Sequence, residues 1–362
     1  MRQKKILFVY RTKRRQIFRA WEKGKTPDSL LFGANHLKNM RHAVDFFDWA
    51  YFPLNPMHSL LYPLENTIIN QTGMGFKLDQ AITLLPILNK YDVIVGTGDS
   101  AGLPILALKY YRILKKPVIF MTAGLAGALK NKTNTWVGKF YKKILPCADI
   151  FTSYAKVEID FFENEMGIKR GKIIHIPLCT DFKYFSKKSH LKRNIISSVG
   201  TESGRDYKTL FEAVKNLNRN VEIACHPDNI RGLKIPKNVT VHLNIPVEKV
   251  RNIYQRSIFT IIPCVEKYRS SGQMVLLETA SAGLPIIVSN IKGLTSAFEF
   301  KENKHLIFTN PQDPRDLRSK INFYLKNPDK AKKLGRNASS FVKNHYTTLH
   351  LAKQLNKFII KI

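Results

Sequence analysis

Cysteine is scarce in this 362-residue chain: Cys147, Cys179, Cys225 and Cys264 are the only four, each more than thirty positions from the next. That spacing leaves no CxxC pair and no zinc-ligand set, and it reads as small buried hydrophobes in a reducing compartment. Long apolar runs are also lacking, since no stretch approaches the roughly eighteen residues a membrane span needs. The run Ile6–Tyr10 is too short for a secretory signal and is followed at once by Arg11-Thr12-Lys13-Arg14-Arg15. A cytoplasmic protein is expected. No Asp-x-Asp pair occurs, so no metal requirement is expected either. Acidic side chains are the last shortage: 27 Asp and Glu face 59 Lys and Arg, a formal charge of +32.

A field of that sign favours polyanions: nucleic acid, an anionic membrane surface or a phosphorylated substrate. The charge itself does not choose among them. It is spread evenly, with 30 basic and 14 acidic residues over 1–190 and 29 and 13 over 191–362. The densest patch is residues 1–25, where ten Lys/Arg face Glu22 alone and Phe18 and Trp21 are interleaved. Such a mixture suits a lipid interface or nucleic acid, and equally a solvated basic loop.

Short β-branched apolar runs alternate with helical patterns through the whole chain. In the first half the runs are Ile6–Tyr10, Ala43–Phe47, Val93–Gly96, Val118–Met121, Ile150–Thr152 and Ile173–Ile176. Helices are expected over Asp28–Lys38, Lys77–Leu88, Leu103–Leu114, with Pro104 in its first turn, and Lys156–Met166. A hydrophilic break at 186–193 follows, and the alternation restarts. Strands are expected at Ile195–Val199, Val221–Ala224, Val239–Val241, Phe259–Pro263, Pro285–Ser289 and Leu306–Phe308. Helices are expected at Tyr207–Leu217, Val247–Arg256, Met274–Ala282, Pro314–Leu325 and Asp329–Asn344.

Such alternation implies right-handed crossovers and parallel sheets. The fold class is therefore α/β, with two doubly wound Rossmann-like domains, 1–188 and 189–346, facing a cleft. Ligands of open α/β sheets sit beyond the carboxyl ends of the strands, which places the site in that cleft. Residues 347–362 read as a C-terminal helix packing back on the first domain.

The most informative stretch is Ser271-Gly272-Gln273-Met274, opening a helix that carries Glu278 and ends before Gly283-Leu284-Pro285. A helix N-terminus offers unpaired N–H groups and a positive dipole end to a diphosphate, and Glu278, about one and a half turns on, can reach two vicinal hydroxyls. An ordinary loop-to-helix junction gives the same spacing. Ser271-Gly272-Gln273, Val275–Glu278 and Ala282–Pro285 together, however, resemble the signature of group 1 glycosyltransferases of the GT-B fold. The resemblance extends through 310–317 and 327–331 and covers about 194–346.

It implies a nucleoside-diphosphate sugar as donor and co-substrate, with no further cofactor. The donor diphosphate would lie on Ser271, Gly272, Gln273 and Met274, and the ribose on Glu278. The segment Val199-Gly200-Thr201-Glu202-Ser203-Gly204-Arg205-Asp206-Tyr207-Lys208 resembles the family's first strand–loop–helix of the nucleotide domain. Gly200 and Arg205 then join the donor site, Arg205 standing at the family's Lys position and Thr201 at its usual Arg; Lys208 is a further candidate. A guanidinium clamps a diphosphate bidentately.

The chain departs from the family at Ser270, where an acid is usual, and Glu266 lies in the same loop. In the first half, Gly96-Thr97-Gly98-Asp99 ends a strand and should open into the cleft. Asp99 is the candidate base for an acceptor hydroxyl, or a helix cap. The expected activity is metal-independent hexosyl transfer to an envelope glycan or lipid-linked acceptor, by a protein peripheral at the inner face of an anionic membrane. The rivals are a basic nucleic-acid-binding protein on a GT-B-like scaffold and a sugar-nucleotide epimerase; no specific nucleic acid is expected.

Overall fold

A computed structural model describes residues 3–48, 57–187, 190–267, 269 and 271–362. Among the described residues, twelve strands form two six-stranded parallel sheets. The first contains β1 (Lys5–Tyr10), β2 (Ala43–Asp48), β3 (Val93–Thr97), β4 (Val118–Met121), β5 (Ile150–Ser153) and β6 (Ile173–His175), in the order 2-1-3-4-5-6. The second contains β7 (Ile195–Val199), β8 (Val221–Cys225), β9 (Val239–Leu243), β10 (Ser257–Ile262), β11 (Ile286–Ser289) and β12 (Ile307–Thr309), in the order 12-11-10-7-8-9. The central strands β3, β4 and β7 are buried along their whole length; β4 is accordingly an unbroken apolar run, while β7 carries buried Ser197 and Ser198, with Ser197 Oγ 2.8 Å from Thr260 Oγ1.

The helices between them are α1 (Arg14–Glu22), α2 (Ala34–Asn39), α3 (Met57–Thr72), α4 (Leu78–Leu88), α5 (Asp99–Tyr110), α6 (Leu125–Leu129), α7 (Trp136–Ile144), α8 (Lys156–Asn164) and α9 (Phe182–Phe185). The second half adds α10 (Tyr207–Val214), α11 (Val247–Arg256), α12 (Gln273–Ser281), α13 (Lys292–Thr295), α14 (Pro314–Lys326), α15 (Pro328–His345) and α16 (Thr348–Ile359).

Several expected elements move. The expected helix over 28–38 is split into a 3-10 turn, Ser29–Leu31, and α2, because Phe32 and Gly33 adopt left-handed φ of 52° and 79°. At Gly33 this leaves room for α16, whose Ala352 backbone would lie 3.0 Å from a Cβ. The helix expected at 103–114 begins four residues earlier, at Asp99, so Pro104 lies inside it rather than in its first turn. The basic segment near the N-terminus is helical: both Arg14 and Arg15 N–H groups donate to Asp48, which caps α1. Phe18 is turned inward onto Phe46, with ring centroids 5.0 Å apart. The break near 188 falls on residues outside those described.

Two passages of chain join the halves, and they run side by side. Thr180 N–H donates to Tyr346 O at 2.9 Å and Thr348 N–H to Thr180 O at 3.1 Å. The helix α16 then lies on α2, with His42 Nε2 2.8 Å from Asn356 Oδ1. Asp28, buried beneath them, accepts from Asn35 at 2.7 Å and Thr348 at 3.0 Å. One apolar cluster consequently runs from β1 through α16 and α9 to α12. This seam fixes the loop 26–30 of the first half against the second.

Candidate active site

A cavity of about 440 Å³ opens beyond the carboxyl ends of β7 and β10, walled on the other side by Thr26, Pro27, Ser29 and Leu30. Gly200, Arg205, Gly272, Gln273, Met274 and Glu278 all line it. Six of the nine candidate residues thus come together, from two loops seventy positions apart.

Gly272 caps α12 with φ +76°, and a Cβ there would press on Leu294, Cys264 and Ile262 at 3.1–3.3 Å. Only glycine turns the chain so close to β10. The Arg205 side chain is 2% exposed and lies flat on Gly200, where a Cβ would meet its Nε at 1.9 Å. Its NH1 points to Cys264 Sγ at 3.5 Å and its NH2 to Glu202 Oε1 at 3.4 Å, while Nε has no partner. Burial works most strongly against this charge, but Cys264, Glu202, Tyr207 and Tyr254 act together in the other direction and leave the guanidinium above its ordinary value. A buried cation with an unused N–H is built to meet an anion.

One anion is already there. Glu202 Oε1 accepts the Gly272 N–H at 2.5 Å, so a carboxylate bridges Arg205 and the start of α12. Glu278 sits further along α12 and accepts from Tyr254 Oη at 3.2 Å. Burial pushes its carboxyl up to about 7, opposed by the Tyr254 hydroxyl and by Arg205. Gln273 serves another purpose: its Nε2 donates to Tyr154 O of the first half at 3.1 Å and to Gly293 O at 3.0 Å, latching the two halves.

Three candidates lie elsewhere. Lys208 is exposed on α10 and does not line the cavity. Ser271 is 1% exposed with an unpartnered hydroxyl, packed so closely on Gly204 that a Cβ there would meet its Oγ at 2.3 Å. Asp99 does not line this cavity. It is the first residue of α5, capped by Gly98, and accepts from Thr122 Oγ1 at 2.6 Å and from the Ala123 N–H at 3.2 Å. Burial pushes its carboxyl up to about 6, with those two donors opposing. The geometry makes it an anchor for the 122–124 loop. Asp99→Ala should therefore cost about 2 kcal/mol of folding stability by orphaning those donors, read from denaturant midpoints. Unchanged stability with lost turnover would instead restore Asp99 to the reacting atoms.

A second cavity of about 560 Å³ lies across the cleft between Thr72–Met74, the Gly124–Lys130 segment and Ser203 with Glu266, Lys267 and Arg269. Lys267 Nζ and Arg269 NH2 both reach Ser203 Oγ, at 3.3 and 3.0 Å. Glu266 accepts the Lys292 N–H at 2.9 Å. Ser270 lies outside the described residues. Ligand atoms of His58, Glu65 and Asp79 gather within 4.8 Å of one another on α3 and α4, but Lys77 Nζ already stands 3.4 Å from Glu65, and none of the three lines either cavity. Glu202, Tyr254 and the 26–30 loop escaped the sequence reading. Only Glu202 left a local signal, an acid beside the Arg that the motif places.

Two parallel α/β domains facing a cleft are the architecture of the GT-B fold. Residues 181–341, most of the second half, match the model of the family of glycosyl transferases group 1. No curated protein matches the sequence. Among solved structures, the chain is similar to sucrose-phosphate synthase from Thermosynechococcus elongatus, at 16% identity and TM-score 0.72 over 99% of both chains. A glycosyltransferase from Rickettsia africae is similar at 17% identity and TM-score 0.66 over 100% of both chains. Anabaena HepE in complex with UDP and glucose matches at 12% identity and TM-score 0.71, covering 99% of this chain and 100% of that one. At such identities the likeness shows the fold.

Proposed function

We propose that the protein transfers a hexose from a nucleoside-diphosphate sugar to an envelope glycan or glycolipid acceptor. Residues 189–346 hold the donor and residues 1–188 the acceptor, with 347–362 completing the first domain. The observation that carries this reading is Arg205, buried and charged with an unused Nε, facing the start of α12 with Glu278 on the same helix.

Diphosphate binding exchanges one anion for another. The Glu202 carboxylate leaves Arg205 and the Gly272 N–H, and the phosphate oxygens take its place. As the glycosidic bond breaks, negative charge grows on the leaving diphosphate, where a fixed guanidinium and N–H dipoles stabilise it. No step calls for a metal or a further cofactor. Glu278 accepts hydrogen bonds from the ribose hydroxyls. The second cavity, with Lys267 and Arg269 on its wall, receives the acceptor. UDP stands first among donors because similar structures hold it.

Thermal shift and hydrolysis with UDP-, GDP-, ADP- and TDP-sugars test the proposal. Stabilisation by one nucleotide class, lost in Glu278→Ala and Arg205→Ala, is the expected result. No response to any of them would overturn it.

A further inference from the structure

The first domain has an apolar opening unrelated to the donor cavity. A pocket of about 240 Å³ lies between α3, α4, the end of α5 and α7, with Leu64, Ile82, Tyr111, Ile113, Trp136 and Phe140 in its wall. Large apolar side chains stand in solvent at its rim: Tyr111 is 63% exposed, Ile113 50%, Trp136 44% and Leu64 41%. One turn before Leu64 on α3, Leu60 is 75% exposed. A single exposed leucine needs no explanation, whereas five such residues around one pocket do.

The charge around them is of one sign. Residues 100–148 hold nine Lys and Arg and no Asp or Glu. Over α3 and α4 the acids are Glu65 and Asp79, and both are buried. Exposed Arg112 and Lys115 flank Ile113. On α7, exposed Lys139 and Lys143 follow Trp136 at i+3 and i+7, on one helix face. An apolar centre inside a cationic rim is what an anionic lipid interface selects: the apolar groups enter the headgroup–acyl boundary and the cations stay with the phosphates.

We propose that this face of the first domain docks on an anionic bilayer, inserting Leu60, Ile113 and Trp136. Pairing with a second copy through the same face would set the cationic rim against itself. Nucleic acid would use the aromatic rings, but it has no use for Leu60, Leu64 and Ile113. Helix α1, the other basic–aromatic segment, lacks the wedge, because Phe18 is packed on Phe46. The helix α3 connects this face to the cleft. From Leu64 to Thr72, which lines the second cavity, is ~12 Å along its axis. A lipid-linked acceptor could thus keep its chain at the bilayer while its head reaches the second cavity. That last consequence rests on the glycosyltransferase reading; the docking does not.

Vesicle flotation of the full chain tests it, comparing neutral phosphatidylcholine with vesicles carrying about 30 mol% phosphatidylglycerol. Binding to the anionic vesicles is expected, with the partition coefficient falling about ten-fold or more in the Leu60→Ser, Ile113→Ser, Trp136→Ser triple variant. Lys139→Glu with Lys143→Glu should act in the same direction, and Arg15→Glu with Arg19→Glu on α1 should leave flotation at the wild-type level. All variants should keep the wild-type nucleotide thermal shift, which reports folding and the donor site separately. Flotation indifferent to the triple apolar variant, or lost only with the α1 charges, overturns the proposal. So does displacement of the vesicles by RNA with the same dependence on Leu60 and Ile113.

Discussion

Arg205→Ala is expected to lower kcat by about 10²–10³-fold, the cost of removing a preorganised donor from a developing oxyanion. Steady-state turnover with the responsive donor measures it. The loss has two parts. The diphosphate forfeits a buried bidentate partner, and Glu202 remains on the Gly272 N–H with no cation beside it, so the incoming phosphates meet a bare carboxylate. Glu202→Gln in the Arg205→Ala background should therefore recover a measurable fraction of the activity. An additive double mutant would show that the two side chains do not share the site. Arg205→Lys should stay impaired, since an ammonium supplies the charge without the planar fork.

Donor binding should strengthen about ten-fold between pH 6 and pH 8, tracking ionisation of Glu278 near 7. The ribose hydroxyls donate, so the carboxylate is the competent form. The sign for stability is opposite. Because burial raises the folded value above the unfolded one, the free protein binds more protons than the unfolded chain between about 4.5 and 7, and this contribution to stability is lost as pH rises through 7. Bound nucleotide should reverse that loss, making the thermal shift larger at pH 8 than at pH 6. Isothermal titration across this range checks it, with Glu278→Gln as the control, since the nucleotide's own phosphate titrates nearby. Glu278→Ala should weaken donor binding by on the order of 10²-fold, the loss of two hydrogen bonds to a charged acceptor. A pH profile unchanged in Glu278→Gln would remove Glu278 from the ribose site.

What the sequence made legible follows from what is local. Strands buried on both faces tend to read as apolar runs, and the helical crossovers within each sheet cannot avoid alternating with them. Gly272 and Glu278 stand on one helix at a fixed spacing, so their joint presence was visible without a fold. Asp99 keeps two readings in sequence because its spacing satisfies two needs: a carboxylate at a strand end can face the cleft or hold the neighbouring loop. The positions of Thr122 and the Ala123 amide, just after β4, show that it does hold that loop. The helix α3 was not foreseen, because Pro63 in its middle reads as a breaker although it removes only one ladder bond. Tyr254 and the 26–30 loop reach the site from elements far apart in sequence, and no spacing rule connects them.

The paired passages at Thr180 and Tyr346–Thr348 also govern how the halves can move. Two widely separated straps would hold them as one body, whereas two adjacent ones leave a single easy rotation, as a door keeps on a hinge line. An opening of the cleft that keeps the Thr180 and Thr348 backbone hydrogen bonds is a swing about this seam, and it breaks the Gln273–Tyr154 hydrogen bond. Gln273 both begins α12 and holds the latch, so on the proposed function a nucleotide seated at that helix start would leave as the two halves part.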